Sequence, residues 1–387
     1  SVKQYIENGT RDMESLLKEV QGISAMREDF IAPTHELQVR TAVIDKGENK
    51  TEVILEGSGG EPTRIFEAND VAFDQIAQKN NVPTQHAHRL RDFYPDLFDL
   101  EMNRMHAEQP RKAMLRTYDR GNNRGVLRAV VSDKFKTFDH PDLLESVLPT
   151  LIDSEAQWQI VNYAVTDRRL YARFKSLAIR GENPAAVGDF MAQGLVVSNS
   201  ETGHGSVSIS QLIWTLACLN GMQTANRNRT AHLTSSRSDS ETWSILSDES
   251  KSLDNRALSA KLRDITASYA SRSMFESVLQ DFARASEDLV EGGLAAAQPA
   301  VQALGTVLKL SKAETSSVLD GLMDTIQQEG YRGQPLSRAT LVNAVTAVGH
   351  KAEPDMVSEW QSRGGRVLDM AANNWASIAA VPVAAAA

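Results

Sequence analysis

A strand-like run near the middle of the chain combines cations with an aromatic ring at alternate positions. The run RRLYARFKS places Arg169, Tyr171, Arg173 and Lys175 on one side of a strand, because alternate residues of a strand share a face. Cationic side chains bind the phosphates of a nucleic-acid backbone, and unpaired bases gain about 1–3 kcal/mol each by stacking on aromatic rings. The spacing therefore predicts a docking face for single-stranded nucleic acid that projects into solvent.

Further candidate contacts come from the same part of the chain. Arg116 lies on the first strand of a predicted hairpin, and Arg124 and Arg128 share one face of its return strand. The remaining candidates for binding nucleic acid are Lys134, Lys136, His204, Arg227 and Arg229. The alternative interpretation is that these cations belong to the face that an antiparallel sheet normally turns to water.

The loop SNSETGHGS raises the question of a catalytic site, because it contains Ser200, Glu201 and His204. A nucleophile elbow needs a Gly-x-Ser-x-Gly turn that leads into a helix, whereas this loop leads into an alternating strand. Gly203 and Gly205 are typical of a turn. The pattern favours a β-hairpin, with His204 available to contact phosphate from its tip.

The sequence contains no complete motif for other enzymatic activities. No Gly-x-x-x-x-Gly-Lys-Ser/Thr run that would grip a nucleotide occurs in the sequence. A metal-dependent nuclease is the best enzymatic alternative, and its candidate residues are Asp133, Asp139, Asp167 and His140. A zinc site that uses a pair of cysteines is excluded, because Cys218 is the single cysteine of the chain. We therefore expect a non-enzymatic protein without a cofactor or a metal site.

Charge is distributed unevenly along the 387 residues. Residues 1–110 carry a net charge of −8, residues 111–240 carry +4 and residues 241–387 carry −5. A local concentration of cations is enough for a phosphate-binding face even when the whole chain is acidic. The same pattern raises the hypothesis that the acidic flanks mask the basic segment.

Composition predicts a soluble globular protein in a reducing compartment. Apolar residues make up 41% and charged residues 24% of the chain, which are ordinary values for a globular protein. No stretch approaches the roughly 18 apolar residues of a membrane span, and the first residues lack an apolar signal-peptide core. A single cysteine cannot form an intramolecular disulfide. We expect a cytoplasmic location and no membrane partner.

The sequence predicts an α+β fold in which antiparallel hairpins and packed helices form the centre and helices form most of the C-terminal region. The predicted order of elements in the centre is β-β-α-β-β-β-β-α. Ser210 is the predicted N-cap of the last helix, and this helix ends at Asn220-Gly221. The predicted regions are an N-terminal α+β region at 1–110, the basic centre at 111–232, a helical region at 233–375 and an Ala-rich tail at 376–387.

Within the first region, residues 69–93 predict two helices joined by a short turn. Asn69 or Asp70 caps the first helix, NNVP ends it, and Thr84 starts the second. This pattern is typical of a helix-turn-helix reader of duplex DNA and also of an ordinary helical hairpin.

Two short motifs carry a resemblance to a known family: Ser132-Asp133-Lys134-Phe135, and Cys218 followed by Asn220-Gly221. They resemble the Ser-Asp-Arg/Lys-aromatic element and the Cys-x-Asn-Gly helix end of the phage/plasmid-like proteins that are grouped as a domain of unknown function. The likeness runs from about residue 65 to 350. The resemblance implies a mobile-element protein in a bacterial host, and it implies no catalytic residues. At the level of fold, the order of elements is similar to that of phage single-strand-annealing proteins, which implies a homo-oligomeric ring or filament.

These observations predict a phage- or plasmid-encoded protein that binds single-stranded DNA through residues 111–240, with strand annealing in recombination as a candidate role. Two alternatives stay open. One is a sequence-specific duplex DNA regulator that uses residues 69–93. The other is a structural or host-interaction protein without a nucleic-acid role, whose basic strands merely face water.

Overall fold

The computed structural model describes residues 13–43, 49–57, 62–215, 220–223 and 246–380. Its fold is α+β, as predicted, with two mostly antiparallel sheets and a mostly helical C-terminal region. The strands of the first sheet are β1 (Arg27–Pro33), β2 (Leu37–Ala42), β3 (Lys50–Leu55), β4 (Arg64–Ala68), β5 (Lys112–Asp119) and β6 (Arg124–Ser132). Their spatial order is β1-β5-β6-β4-β3-β2, and only the β4–β6 pair among them is parallel.

The hairpins of this sheet follow from local turn chemistry. β5 and β6 pair on either side of DRGNN, where Asn122 and Asn123 adopt positive φ angles of 56° and 57°, a conformation that Asn tolerates well. The predicted β2–β3 hairpin is also present. The sheet itself joins β1–β4 to β5 and β6, so it extends across the boundary that we predicted at residue 110.

Helices α2 (Asp70–Lys79), α3 (Thr84–Phe93) and α4 (Pro95–Glu108) follow β4. The predicted helical pair at 69–93 is confirmed as α2 and α3, and the Asn69 side chain caps α2 by accepting from the Ala72 amide at 2.9 Å. Phe73 of α2 and Phe98 of α4 stack in the core beneath the sheet. On α4, Asn103 and Asp99 bond the backbone amides of Val39 and Thr41, which covers the β2 edge.

The second sheet is antiparallel and has the order β11-β10-β9-β8-β7. Its strands are β7 (Trp158–Val165), β8 (Leu170–Glu182), β9 (Phe190–Asn199), β10 (Ser208–Thr215) and β11 (Asn220–Gln223). The predicted β7–β8 and β9–β10 hairpins are confirmed. Helix α5 (His140–Ile152), which we also predicted, connects the two sheets in sequence.

The predicted helix between Ser210 and Gly221 is wrong. Ser210 lies within β10, and Asn220-Gly221 opens β11, which pairs with β10. Both faces of β10 are buried: Leu212 and Trp214 point to one side and Ile213 to the other. A strand that is covered on both faces has a continuous apolar run, and such a run cannot be distinguished from a buried helix by periodicity.

Helices cover both faces of the second sheet. α1 (Met13–Ala25), α5 and α6 (Asp248–Tyr269) share a core with Phe174 and Leu195 on one face. The remaining helices are α7 (Arg272–Glu287), α8 (Ala297–Leu308), α9 (Lys312–Gln327), α10 (Arg338–Val348), α11 (Pro354–Leu368) and α12 (Ala372–Ala379). α10 and α11 pack against the edge strand β11, and short 3-10 turns lie at Thr34–Glu36, Gly293–Ala296 and Gly349–Lys351.

Candidate functional site

Tyr171, Arg173 and Lys175 alternate along β8 and Arg169 comes directly before it, but these side chains do not project into solvent as one open face. Arg173 is 0% exposed and Tyr171 is 5% exposed, while Arg169 and Lys175 are half-buried. The expectation that cations and ring together form an open surface is therefore wrong. Opposite them on β9, the paired residues Ser198 and Val196 are buried as well.

Helix α11 explains why this face is closed. Arg173 donates from Nη2 to Ser358 Oγ at 2.8 Å and from Nε to Gln361 Oε1 at 3.3 Å, and both partners lie on α11. Arg169 donates to the carbonyl oxygens of His204 and Ser206 at 2.7 and 2.8 Å. The alternating pattern correctly identified a common face, but it carried no information about the helix that lies on that face.

Arg116 and Arg128 are also buried, at 0% and 6% exposed. They belong to a set of ionisable residues at the junction of the two sheets. We call this set the buried charge cluster. Its buried members are Arg116, Arg128, Asp139, His140 and Glu201, and the exposed Asp29 lies at its edge.

Contacts within the buried charge cluster connect five elements: β1, β5, β6, α5 and the β9–β10 turn. Arg116 lies 3.1 Å from Asp29 of β1 and 2.9 Å from Asp139, the residue that caps α5. Arg128 pairs with Glu201 at 2.6 Å and stacks 4.1 Å from the ring centre of Tyr118. Because Glu201 lies in the β9–β10 turn, the cluster joins the second sheet to β1, β5 and β6 of the first. Its geometry is that of a structural junction.

Burial also perturbs the titration of this cluster. Burial lowers the pKa of His140 to about 4. The nearby Glu201 carboxylate raises this pKa, but it offsets only part of the effect of burial. Burial by itself raises the pKa of Glu201, but the charges of His140 and Arg128 and the His140 amide hold that pKa below its ordinary value. Asn199 Nδ2 lies 3.3 Å from His140 Nδ1 and can only donate, which agrees with a neutral imidazole.

The loop that contains Ser200, Glu201 and His204 is the turn of the β9–β10 hairpin, in agreement with the sequence-based interpretation. Gly203 and Gly205 adopt φ angles of +80° and +115° there. A side chain at position 205 would meet the Arg169 guanidinium at 2.1 Å, so this glycine allows Arg169 to reach the loop carbonyls. His204 is half-buried, and burial lowers its pKa.

The other predicted contacts are scattered. Arg124 is exposed and lies 3.6 Å from Glu52, Lys134 is half-buried, and Lys136 is paired with Asp254. Arg227 and Arg229, together with Cys218, lie outside the described residues. Among the predicted nucleic-acid contacts that the structure describes, no common surface is therefore formed.

On the helical hairpin, α3 exposes Gln85, His86 and Arg89. Arg91 is not part of this exposed surface. Its guanidinium carbon lies 4.6 Å from the centre of the Phe73 ring, and its Nε lies 2.9 Å from Asp92 Oδ1. The exposed part of α3 thus carries one cation. Its neighbours Asp70 and Asp96 are exposed carboxylates.

A cleft of about 870 Å³ opens between α6 and the first sheet, and we refer to it as the α6 cleft. Its volume lies within the range of ligand-binding pockets. The residues of α6 that line it are Asp248, Lys251, Ser252, Asn255, Arg256, Ser259 and Arg263. The lining from the other elements is Ile31, Lys112, Met114, Asp133, Phe135, Thr137, Phe138, Asp142, Glu145 and Ser146.

Two contacts hold α6 against the segment 133–138. Asn255 Nδ2 donates to the Thr137 carbonyl oxygen at 3.1 Å, and Asp254 pairs with Lys136. On the side of α6 that faces the cleft, Arg256 and Arg263 are exposed, and neither forms a salt bridge with any described residue. Their separation of seven residues is nearly two helical turns, or about 10.5 Å.

The opposite wall of the α6 cleft offers apolar surface. Ile31 of β1 is 59% exposed and pairs with Met114 of β5. Phe135 lies beside them in a tight turn, in which its amide donates to the Ser132 carbonyl oxygen at 2.9 Å. The Arg116 guanidinium lies 5.9 Å from the centre of the Phe135 ring, so the buried charge cluster lies directly behind this wall.

Sequence reasoning did not identify the α6 cleft. A signal existed in the run DNRALSAKLRDITA, where Arg256, Ser259 and Arg263 recur at helical spacing opposite the apolar Leu258 and Leu262. That pattern defines the polar face of a helix. It does not reveal that this face lies across from strands more than 130 residues earlier in the chain.

Comparison of this chain with protein-family models, with curated proteins and with solved structures finds no match. The resemblance to phage/plasmid-like proteins therefore stays a prediction. Across the described part of the chain, no group of three or more His, Cys, Asp or Glu residues is arranged to hold a metal ion. None of the helices in the ranges that the structure describes has the length and apolar character needed to cross a membrane.

Proposed function

We propose that the protein binds single-stranded DNA in the α6 cleft, rather than on the β8 face. The observation that supports this most directly is the juxtaposition of exposed arginines on α6 with an aromatic and apolar wall formed by Ile31, Met114 and Phe135. Single-stranded nucleic acid is bound by grooves that offer cations to the backbone and flat apolar surface to the bases.

The cations of the α6 cleft are available to a ligand. Arg256 and Arg263 form no salt bridge with the residues described, and Lys112, on the opposite wall, is exposed. Lys251 lies 3.9 Å from Asp248, at the limit of an ion pair. A surface cation that has no close protein partner loses little when it exchanges water and counterions for phosphate, and this exchange gives binding its dependence on salt.

The apolar wall supplies the second requirement of single-strand binding. The Phe135 ring is half-buried, the turn at Ser132 holds its backbone, and the Arg116 guanidinium lies 5.9 Å from the ring centre. A ring that is already partly buried has less conformational entropy to lose when a base stacks on it. Ile31 and Met114 extend the flat surface along the paired strands β1 and β5.

The test is a titration of a fluorescent 20-nucleotide single strand with the wild-type chain and with a double variant, Arg256→Gln with Arg263→Gln. We expect the double variant to bind roughly tenfold or more weakly. We also expect the slope of log K against log salt to become shallower by about 1.4, because each lost phosphate contact contributes about 0.7 on a single strand.

Lys261→Gln is the matched control, because Lys261 is also exposed on α6 but does not line the cleft. Its affinity and salt slope should equal those of the wild type. If the double variant keeps the affinity and slope of the wild type, or if the wild type binds a duplex of the same length more tightly than the single strand, the proposal is wrong. Size-exclusion chromatography of the same samples tests the ring or filament that the sequence predicts.

A further inference from the structure

The charges of the α6 cleft are separated by structural element. The arginines and one lysine lie on α6, and Lys112 lies on β5. Three of the four lining carboxylates lie elsewhere: Asp142 and Glu145 are on α5, and Asp133 is in the turn after β6, while Asp248 is the first residue of α6. A ligand that is anionic throughout would meet repulsion from α5. A ligand with an anionic edge and a hydrogen-bond-donating edge would match both walls.

The carboxylates of α5 are available to accept hydrogen bonds. Asp142 and Glu145 are three residues apart, so they lie on the same side of the helix. Asp142 Oδ2 accepts from the Asp139 amide at 2.8 Å, which fixes the carboxylate and leaves Oδ1 for a ligand. Glu145 is exposed, and within the described ranges neither carboxylate forms a salt bridge.

Nucleic-acid bases differ in what they present to such carboxylates. Cytosine carries a donating amino group at N4, and adenine carries one at N6, whereas thymine presents an accepting oxygen and a methyl group at the equivalent edge. A carboxylate accepts from the first two and is repelled by the third. Aspartate and glutamate side chains are accordingly the ones that accept from cytosine N4.

From this separation of charges, and on the basis of the function proposed above, we infer that the α6 cleft selects among bases and prefers cytosine-rich to thymine-rich single strands. Phosphates lie along Arg256 and Arg263, a base stacks on Phe135, and the amino group of the base donates to Asp142 or Glu145. The carboxylates of α5 determine which base is preferred, and the arginines of α6 contribute most of the affinity for the strand.

The experiment compares the affinities of fluorescent dC20 and dT20 at pH 7.5 and one fixed salt concentration. Both strands are flexible pyrimidine polymers with the same backbone charge, so their affinities differ through base contacts. We expect the wild type to bind dC20 at least about fivefold more tightly than dT20. In the double variant Asp142→Asn with Glu145→Gln, the ratio should fall to about one, chiefly because dT20 binds more tightly than before.

Glu155→Gln is the matched control, because Glu155 is an exposed carboxylate that does not line the cleft. Its dC20 to dT20 ratio should equal that of the wild type. Equal affinities of the wild type for both strands would overturn the base selectivity and leave the proposed function standing. Absence of binding to both strands would overturn the proposed function itself. A ratio that persists in the Asp142 and Glu145 double variant would show that other residues read the base.

Discussion

The strand β8 and the helix α6 both carry regularly spaced cations, yet they occupy opposite environments. On β8, Arg173 is 0% exposed and bonded to α11. On α6, Arg256 and Arg263 are exposed along a cleft. Periodicity therefore identifies which residues share a face, and the number of layers packed on the element decides whether that face meets solvent.

The comparison also separates two roles of charge. Buried cations such as Arg116, Arg128 and Arg173 have carboxylate or polar partners, and removing one member of such a pair leaves an uncompensated buried group. Exposed cations contribute little to the free energy of unfolding but are available to ligands. Substitutions at the buried groups should therefore cost much more stability than substitutions along the α6 cleft.

The largest loss of stability is expected for Glu201→Ala. The substitution removes the partner of the buried Arg128 and the acceptor of the His140 amide, whose distances from the carboxylate are 2.6 and 2.8 Å. Breaking a buried ion pair in this way typically costs about 3–5 kcal/mol. Urea unfolding measures the change, with Glu145→Ala as the exposed control. A loss below about 1 kcal/mol would show that Arg128 does not depend on this partner.

Acid should destabilise the fold through His140. Its pKa is about 4 in the folded protein, compared with 6.5 in an unfolded chain, so the unfolded state binds a proton in this interval that the folded state does not. The contribution is complete above pH 6.5 and is lost as the pH falls toward 4, by about 1.4 kcal/mol per pH unit. Urea midpoints at several pH values measure the slope. His140→Gln should reduce it, and an equal slope in that variant would assign the acid sensitivity to other groups.

A smaller loss is expected for Arg173→Met. The substitution removes the donor to Ser358 Oγ and one of two donors to Gln361 Oε1, which also accepts from Gln223 at 3.3 Å. Leaving a buried acceptor without its donor typically costs about 1–3 kcal/mol. The affinity of the folded variant for single-stranded DNA should not change. Arg180→Met is the control on the same strand, because Arg180 is exposed. A selective loss of DNA affinity in the Arg173 variant would show that DNA binds at the β8 face instead.

The smallest change in stability is expected for Arg256→Gln with Arg263→Gln. Both side chains are exposed, and surface substitutions usually change the free energy of unfolding by less than about 0.5 kcal/mol. Thermal unfolding of the double variant should therefore coincide with that of the wild type. A marked shift would mean that these arginines support the fold, and their effect on DNA binding would then need to be measured relative to the folded fraction.

Features set by local chemistry were predictable from sequence. The turn at Asn122-Asn123, the Asn69 cap of α2 and the helix that starts beside Pro141 depend on residues close together in the chain. Pairings between distant segments were not predictable in the same way. β1 pairs with β5 and β4 pairs in parallel with β6, although neither β1 nor β4 was identified as a strand from its pattern.

The candidate site shows the same limit. Tyr171, Arg173 and Lys175 were correctly assigned to one strand, and Arg169 comes directly before it. Ser358 and Gln361, which cover Arg173, lie 185 and 188 residues away from it in the chain. The wall of the α6 cleft that carries Ile31 and Met114 and the wall that carries Arg256 come together only through tertiary packing. Such a meeting of distant segments leaves no local pattern.

Photo-cross-linking locates the bound strand on the protein without any substitution. A single strand that contains 5-iododeoxycytidine is cross-linked to the wild-type chain, and the modified peptides are identified by mass spectrometry. Binding in the α6 cleft predicts cross-links to Phe135, to Met114 or to residues 248–263, and these should be lost at high salt. Cross-links confined to β8 or to α3 would refute binding in the α6 cleft, because they would place the strand on another face.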